Sequence, residues 1–259
     1  MFVDIAGERV FVEVSGAGPD VVVGVSGSFG TSEIWHPPFR SLSGSCRTVA
    51  YDHFGTGLTD VPAESVTFEH QVELLGGVLD EFSPDRRCVL AGDSSMTAVV
   101  IEATFRWPHQ VSGLVLVSGG LDFAPTDPVI QFVAGLRTAF DLTIDSFVKI
   151  AMPEDTIGDY QRWFKAIITR TGGERAALLV ESFYPVTVRH RLPGITVPTI
   201  VIHGELDHLP TSPLSASQEM ADTIRKAQLV VLPGTGHVPT ITRPEPVAAA
   251  ITELLNTRT

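Results

Sequence analysis

The chain has 259 residues, of which 44% are hydrophobic and 19% charged, and its formal net charge is −12. That length suits one α/β domain with at most one insertion, and the apolar fraction excludes an intrinsically disordered chain. Binding to a phosphate backbone depends on clustered Lys and Arg, so the acidic balance argues against a nucleic-acid ligand.

Asp4 and Glu8 come too early for a secretory signal, and no apolar run reaches the roughly 18 residues that a membrane helix needs. A cytoplasmic protein with no membrane contact is expected. The alternation in residues 2–5 and 10–14, separated by Ala6, Gly7 and Glu8, predicts an opening β-hairpin. The β-branched run at 20–25 then reads as a strand covered on both faces. Apolar runs of the same kind recur at 48–51, 88–91, 114–117, 199–202 and 229–232. Cys46 and Cys88 each lie beside such a strand and are expected as buried thiols, with no disulfide and no zinc motif.

Helical patterns fill the intervals. Phe68, Val72, Leu75, Leu79 and Phe82 form one apolar stripe, and residues 94–107 are apolar nearly all round and stop before Pro108. Pro244 and Pro246 suit the first turn of a C-terminal helix. Strands alternating with helices predict a mostly parallel, twisted sheet with helices on both faces. Residues 121–192 break the rhythm with helical patterns only, such as 130–140 and 173–183. They are expected to form a helical cap inserted into a core of residues 1–120 and 193–259. An insertion after the 114–117 strand would overhang the carboxyl edge of the sheet, where ligands of such sheets bind.

The segment Gly92-Asp93-Ser94-Ser95-Met96 places a serine between a buried strand and a buried helix. There a tight strand-to-helix turn exposes the hydroxyl, and the next amide, Ser95 N–H, faces the same point from a helix N-terminus. A plain helix cap is the alternative role for Ser94.

Four segments together resemble the α/β-hydrolase family: Gly92-x-Ser94-x-Met96, Gly204-Glu205-Leu206-Asp207, Gly234-Thr235-Gly236-His237, and Asp52-His53-Phe54-Gly55-Thr56-Gly57. The resemblance covers nearly the whole chain and implies Ser94 as nucleophile, His237 as base and Asp207 as the acid that orients the histidine, in the chain order of that fold. Asp122, after the 114–117 strand, is an alternative acid by the same analogy. His203 is expected to be a packed strand-end residue and His208 a solvated one. Asp93, beside the nucleophile, is expected to turn away and bond to backbone, because a carboxylate would oppose the developing oxyanion.

The loop at 26–35 is similar to the family's oxyanion loop, with Ser26 where histidine is common and Ser28 at the donating amide; Ser28 and Ser95 would supply the two N–H donors. Met96 replaces the motif's last glycine, so either the elbow opens or Met96 turns into the pocket. Phe29, Met96, Phe123, Phe147 and Trp163 are expected to wall an apolar pocket.

The resemblance implies hydrolysis of a small hydrophobic ester or lactone by a monomer or homodimer, with no cofactor and no metal. Two alternatives stand beside it: cofactor-free C–C bond hydrolysis, and a slow-turnover signalling module. The second is suggested by the similarity of the 29–35 loop and the non-glycine elbow to bacterial stress-signalling hydrolases and plant butenolide receptors.

Overall fold

The computed structural model describes residues 1–5, 7–155 and 157–257. Ala6, in the expected hairpin turn, lies outside them. The hairpin strands are β1 (Phe2–Ile5) and β2 (Glu8–Ser15), followed by β3 (Val21–Val25), α1 (His36–Leu42), β4 (Arg47–Tyr51), α2 (Phe68–Phe82), β5 (Cys88–Asp93), α3 (Met96–Arg106) and β6 (Val111–Val117). Four helices come next: α4 (Asp127–Thr138), α5 (Phe140–Ala151), α6 (Gly158–Ile168) and α7 (Gly173–Glu181). The chain then returns through β7 (Thr199–Gly204), α8 (Leu214–Thr223), β8 (Ala227–Leu232), α9 (Pro239–Thr242) and α10 (Pro244–Asn256).

The described strands form one eight-stranded sheet in the order β1-β2-β4-β3-β5-β6-β7-β8. Pairing is antiparallel from β1 to β2 and from β2 to β4, and parallel across the remaining strands. Because side chains alternate along a strand, β3 sends Val21 and Val23 into one core and Val22 into the other. The first core lies under α2, α3 and α8; the second lies under α1 and α10. Both faces of the central strands are therefore dry, which accounts for their unbroken apolar runs. β8 closes one edge and is half-buried or exposed at every position but Leu232, unlike the fully covered strand its sequence suggested.

Helices α4 to α7 lie between β6 and β7 in the chain and share a third apolar cluster with Phe29, Ile34, Val238 and Ile241. The helical pattern expected over 130–140 spans two helices. Phe132, Leu136 and Phe140 keep the spacing of one face, but the backbone turns out of the helix at Ala139 (φ −148°, ψ 52°) before α5 begins. No described helix is long and apolar enough to cross a membrane.

Candidate active site

β5 and α3 converge on Ser94, whose φ of +55° lies in the left-handed region that non-glycine residues seldom adopt. Ser94 N–H donates to the Val117 carbonyl at 2.8 Å, which ties this turn to the end of β6. The turn is tight because Gly92 lets helix and strand approach. A Cβ there would stand 2.8 Å from Val100 Cγ2 and 3.0 Å from the Met96 carbonyl. Met96, expected in the pocket wall, is instead fully buried in the core among α2 and α3 side chains and is absent from the cavity lining.

Asp207 follows β7 and His237 lies in the loop after β8. Asp207 Oδ2 is 2.7 Å from His237 Nδ1, and His237 Nε2 is 2.9 Å from Ser94 Oγ. A carboxylate only accepts, so Nδ1–H is the donor to Asp207, which leaves Nε2 to accept from the Ser94 hydroxyl. Ser94 Oγ thus faces an imidazole and is not spent capping α3. Burial works against charge on His237, but the neighbouring Asp207 carboxylate outweighs it and raises the imidazole above the usual histidine value. Burial likewise pushes Asp207 up, and the charge and hydrogen bond of His237 reverse that, so its carboxyl ends below the ordinary range.

Asp207 Oδ1 accepts from Leu209 N–H at 3.1 Å. Asp122 is placed elsewhere, paired with Arg189 and Thr187 in a bridge near the surface, so the alternative acid is not at the site. His203 is fully buried at the end of β7, with Nδ1 2.9 Å from Ser217 Oγ and Nε2 3.5 Å from Asp207 Oδ2. His208 is exposed at the cavity rim.

Asp93 keeps the expected partner in the backbone, the Gly27 amide, but does not turn away from the site, since it is among the residues lining the cavity. Only 5% of it is exposed, and Oδ1 is buried without a hydrogen-bond partner. Burial lifts its carboxyl to about 6, against the opposing pull of His237 and the Gly27 amide.

The 26–35 loop is braced from three sides. Ser26 Oγ donates to the Thr31 carbonyl at 2.6 Å, and the Asp52 carboxylate accepts from Ser32 N–H and Leu58 N–H, each at 2.8 Å. Gly57, at φ +52°, would drive a Cβ to 2.0 Å from Asp52 Oδ2, so the turn requires glycine there. The third brace is His53, whose Nε2 sits 3.2 Å from the Gly27 carbonyl. Burial holds this imidazole neutral, down at about 4. Sequence reading gave His53 no role; a histidine closing an apolar strand was the available signal. Ser28 Oγ and Ser95 Oγ are 2.6 Å apart beside Ser94, which brings the two residues expected to donate amides onto one spot.

Above Ser94 opens a cavity of about 670 Å³. Phe29, Phe123 and Phe147 line it, together with residues not foreseen, among them Phe132, Phe164, Phe183, Tyr184, Leu142 and Ile150. Trp163 is not in the lining; it packs half-buried against the α4 to α7 cluster. Phe164, the next residue on α6, takes the cavity side, and successive helical positions point about 100° apart. Phe29, Phe132, Phe147 and Phe164 form a connected ring network with centroid separations of 5.6–6.2 Å. No lysine or arginine is among the described lining residues. This arrangement can activate an alcohol beside a mostly apolar chamber.

Comparison with known proteins agrees with the fold. The chain is 25% identical over 268 residues to a pimeloyl-(acyl-carrier protein) methyl ester esterase of Nitrosospira multiformis, covering 93% of this chain and 96% of that protein. An enol-lactonase of Burkholderia xenovorans superposes with a TM-score of 0.87 at 20% identity, covering 99% of this chain and all of the other. A thermophilic esterase of Thermogutta terrifontis does so with a TM-score of 0.86 at 22% identity, covering 99% and 98%. The alpha/beta hydrolase family model matches residues 22–250, from β3 into α10, and the chain belongs to that family.

Proposed function

We propose that the protein is a serine hydrolase that cleaves an ester or lactone of a small, uncharged, hydrophobic substrate through an acyl-enzyme on Ser94. The observation that carries this reading is the continuous line from Asp207 through His237 to Ser94, ending at the floor of the apolar cavity. His237 Nε2 takes the Ser94 proton as Oγ attacks the carbonyl carbon. The same proton then passes to the leaving alkoxide as the C–O bond breaks. Water repeats the sequence on the acyl-enzyme and frees the acid. The amides of Ser28 and Ser95 are the donors for the oxyanion, each worth about 3–4 kcal/mol of transition-state stabilisation. The hydroxyl contact between those two residues supports the pairing. Residues 121–192 act as the cap that shapes the acyl pocket over a core of 1–120 and 193–259.

Labelling with a fluorophosphonate and mapping the modified peptide tests the nucleophile and its activation together. Ser94 is the expected site, and Ser94→Ala should abolish both the label and the burst of p-nitrophenol from a short-chain ester. Undiminished turnover by that variant would overturn the assignment.

A further inference from the structure

The loop that carries His237 is held by a segment more than eighty positions earlier in the chain. Two successive amides leave the loop in the same direction. Gly236 N–H donates to Glu154 Oε1 at 2.9 Å, and His237 N–H donates to the Ala151 carbonyl at 2.7 Å. Ala151 is the last residue of α5, so the histidine's own amide satisfies one of the carbonyls that a helix C-terminus leaves without an intrahelical donor.

The approach is close: a Cβ on Gly236 would stand 2.5 Å from the Ala151 carbonyl, 2.5 Å from Pro153 Cδ and 2.9 Å from Glu154 Oε2. Only a glycine lets residues 151–154 press on this loop. Apolar packing joins the same two pieces, since Ala151 and Met152 share a cluster with Val238 and Ile241. On its other side the loop is tied to the core, where Glu205 accepts from Gly234 N–H at 2.8 Å and Leu206 N–H donates to the Thr235 carbonyl at 2.8 Å. Core and helical insertion therefore each contribute one carboxylate to the backbone of a single short loop.

We infer that Glu154 is a positioning residue, which holds the histidine loop from the helical insertion so that the imidazole meets Ser94 only while residues 151–154 are docked. This rests on the reading of Ser94 as nucleophile and His237 as base. A hydrogen bond to a carboxylate is about twice as strong as one between neutral groups, which makes Glu154 the firmer of the two anchors. Its effect is on geometry, since the side chain is bonded to the Gly236 backbone amide and to no group of the site itself.

The test compares Glu154→Ala and Glu154→Gln with the wild-type chain. Three readouts serve: kcat and KM on p-nitrophenyl butyrate, the rate of fluorophosphonate labelling at Ser94, and the downfield proton resonance of His237 Nδ1–H. The alanine variant is expected to lose about ten- to a hundredfold in kcat and in labelling rate, the cost of a misplaced base, with KM changed less than about twofold. Its downfield resonance should broaden or vanish. The glutamine variant keeps an acceptor oxygen and should stay within about threefold of wild type. A folded alanine variant with wild-type rates and an unchanged resonance overturns the inference, even if its melting temperature falls. So does a glutamine variant as slow as the alanine one. If wild-type Ser94 takes no label, the parent reading fails separately, and the resonance still decides: its loss in Glu154→Ala upholds the positioning role and its persistence refutes it.

Discussion

Asp207 and His237 each reverse the effect of their own burial on the other, and this mutual support sets the pH behaviour of the site. Protonated His237 cannot accept the Ser94 proton, so kcat/KM should fall as pH drops through the histidine's pKa. Because the Asp207 carboxylate raises that pKa, the acid limb is expected above the ordinary histidine value of about 6.5. Asp207→Asn removes the main raising influence and leaves burial opposed only by Asp93, so the limb should move to lower pH while kcat drops by about four orders of magnitude. A pH series of initial rates for the two proteins checks both.

Asp93 is shifted in the opposite direction to Asp207. Its value in the fold is about 6 against an ordinary 3.8, so between those limits the folded state holds more protons than the unfolded one. Stability is then lost as pH rises through that window and is not regained above it. Asp93→Asn should gain on the order of 1–3 kcal/mol over wild type at pH 8 and little at pH 3.5, measured by thermal or urea unfolding.

The β5 to α3 turn shows how an element's neighbours decide what a motif position does. Glycine at 92 is required by the approach of Val100 and the Met96 carbonyl, whereas position 96 has room toward the core for a long flexible side chain. Gly92→Ala must push α3 off the sheet and is expected to cost about 1–3 kcal/mol, read as a lower urea midpoint at unchanged slope. The strands were legible because both-face burial writes itself as an apolar run, and α2 because its stripe faces one core. The α4 to α5 junction was not legible: Ala139 carries no proline or glycine signal, and Phe132, Leu136 and Phe140 keep helical spacing across the break.

Across the molecule, the cavity joins residues from the 26–35 loop, the helical insertion and the loops after β7 and β8, with no lysine or arginine in its described lining. A carboxylate brought into this chamber would lose its hydration without a partner, a penalty of several kcal/mol. The expected result is at least a hundredfold lower kcat/KM for mono-p-nitrophenyl adipate than for p-nitrophenyl hexanoate, about 3 kcal/mol at tenfold per 1.36 kcal/mol. Equal values would show that the pocket tolerates charge. Phe147 touches both Phe29 and Phe164 in the ring network, so Phe147→Ala should raise KM for bulky acyl groups more than for acetate.

By itself the sequence determined the strand runs, the family and the order Ser94, Asp207, His237, because local periodicity and short motifs are written in adjacent residues. Which way Met96 and Trp163 turn, that Asp122 pairs with Arg189, and that His53 and Glu154 brace loops far from them were decided by the tertiary structure. Those facts depend on which surfaces meet across dozens of positions, and no spacing along the chain encodes that.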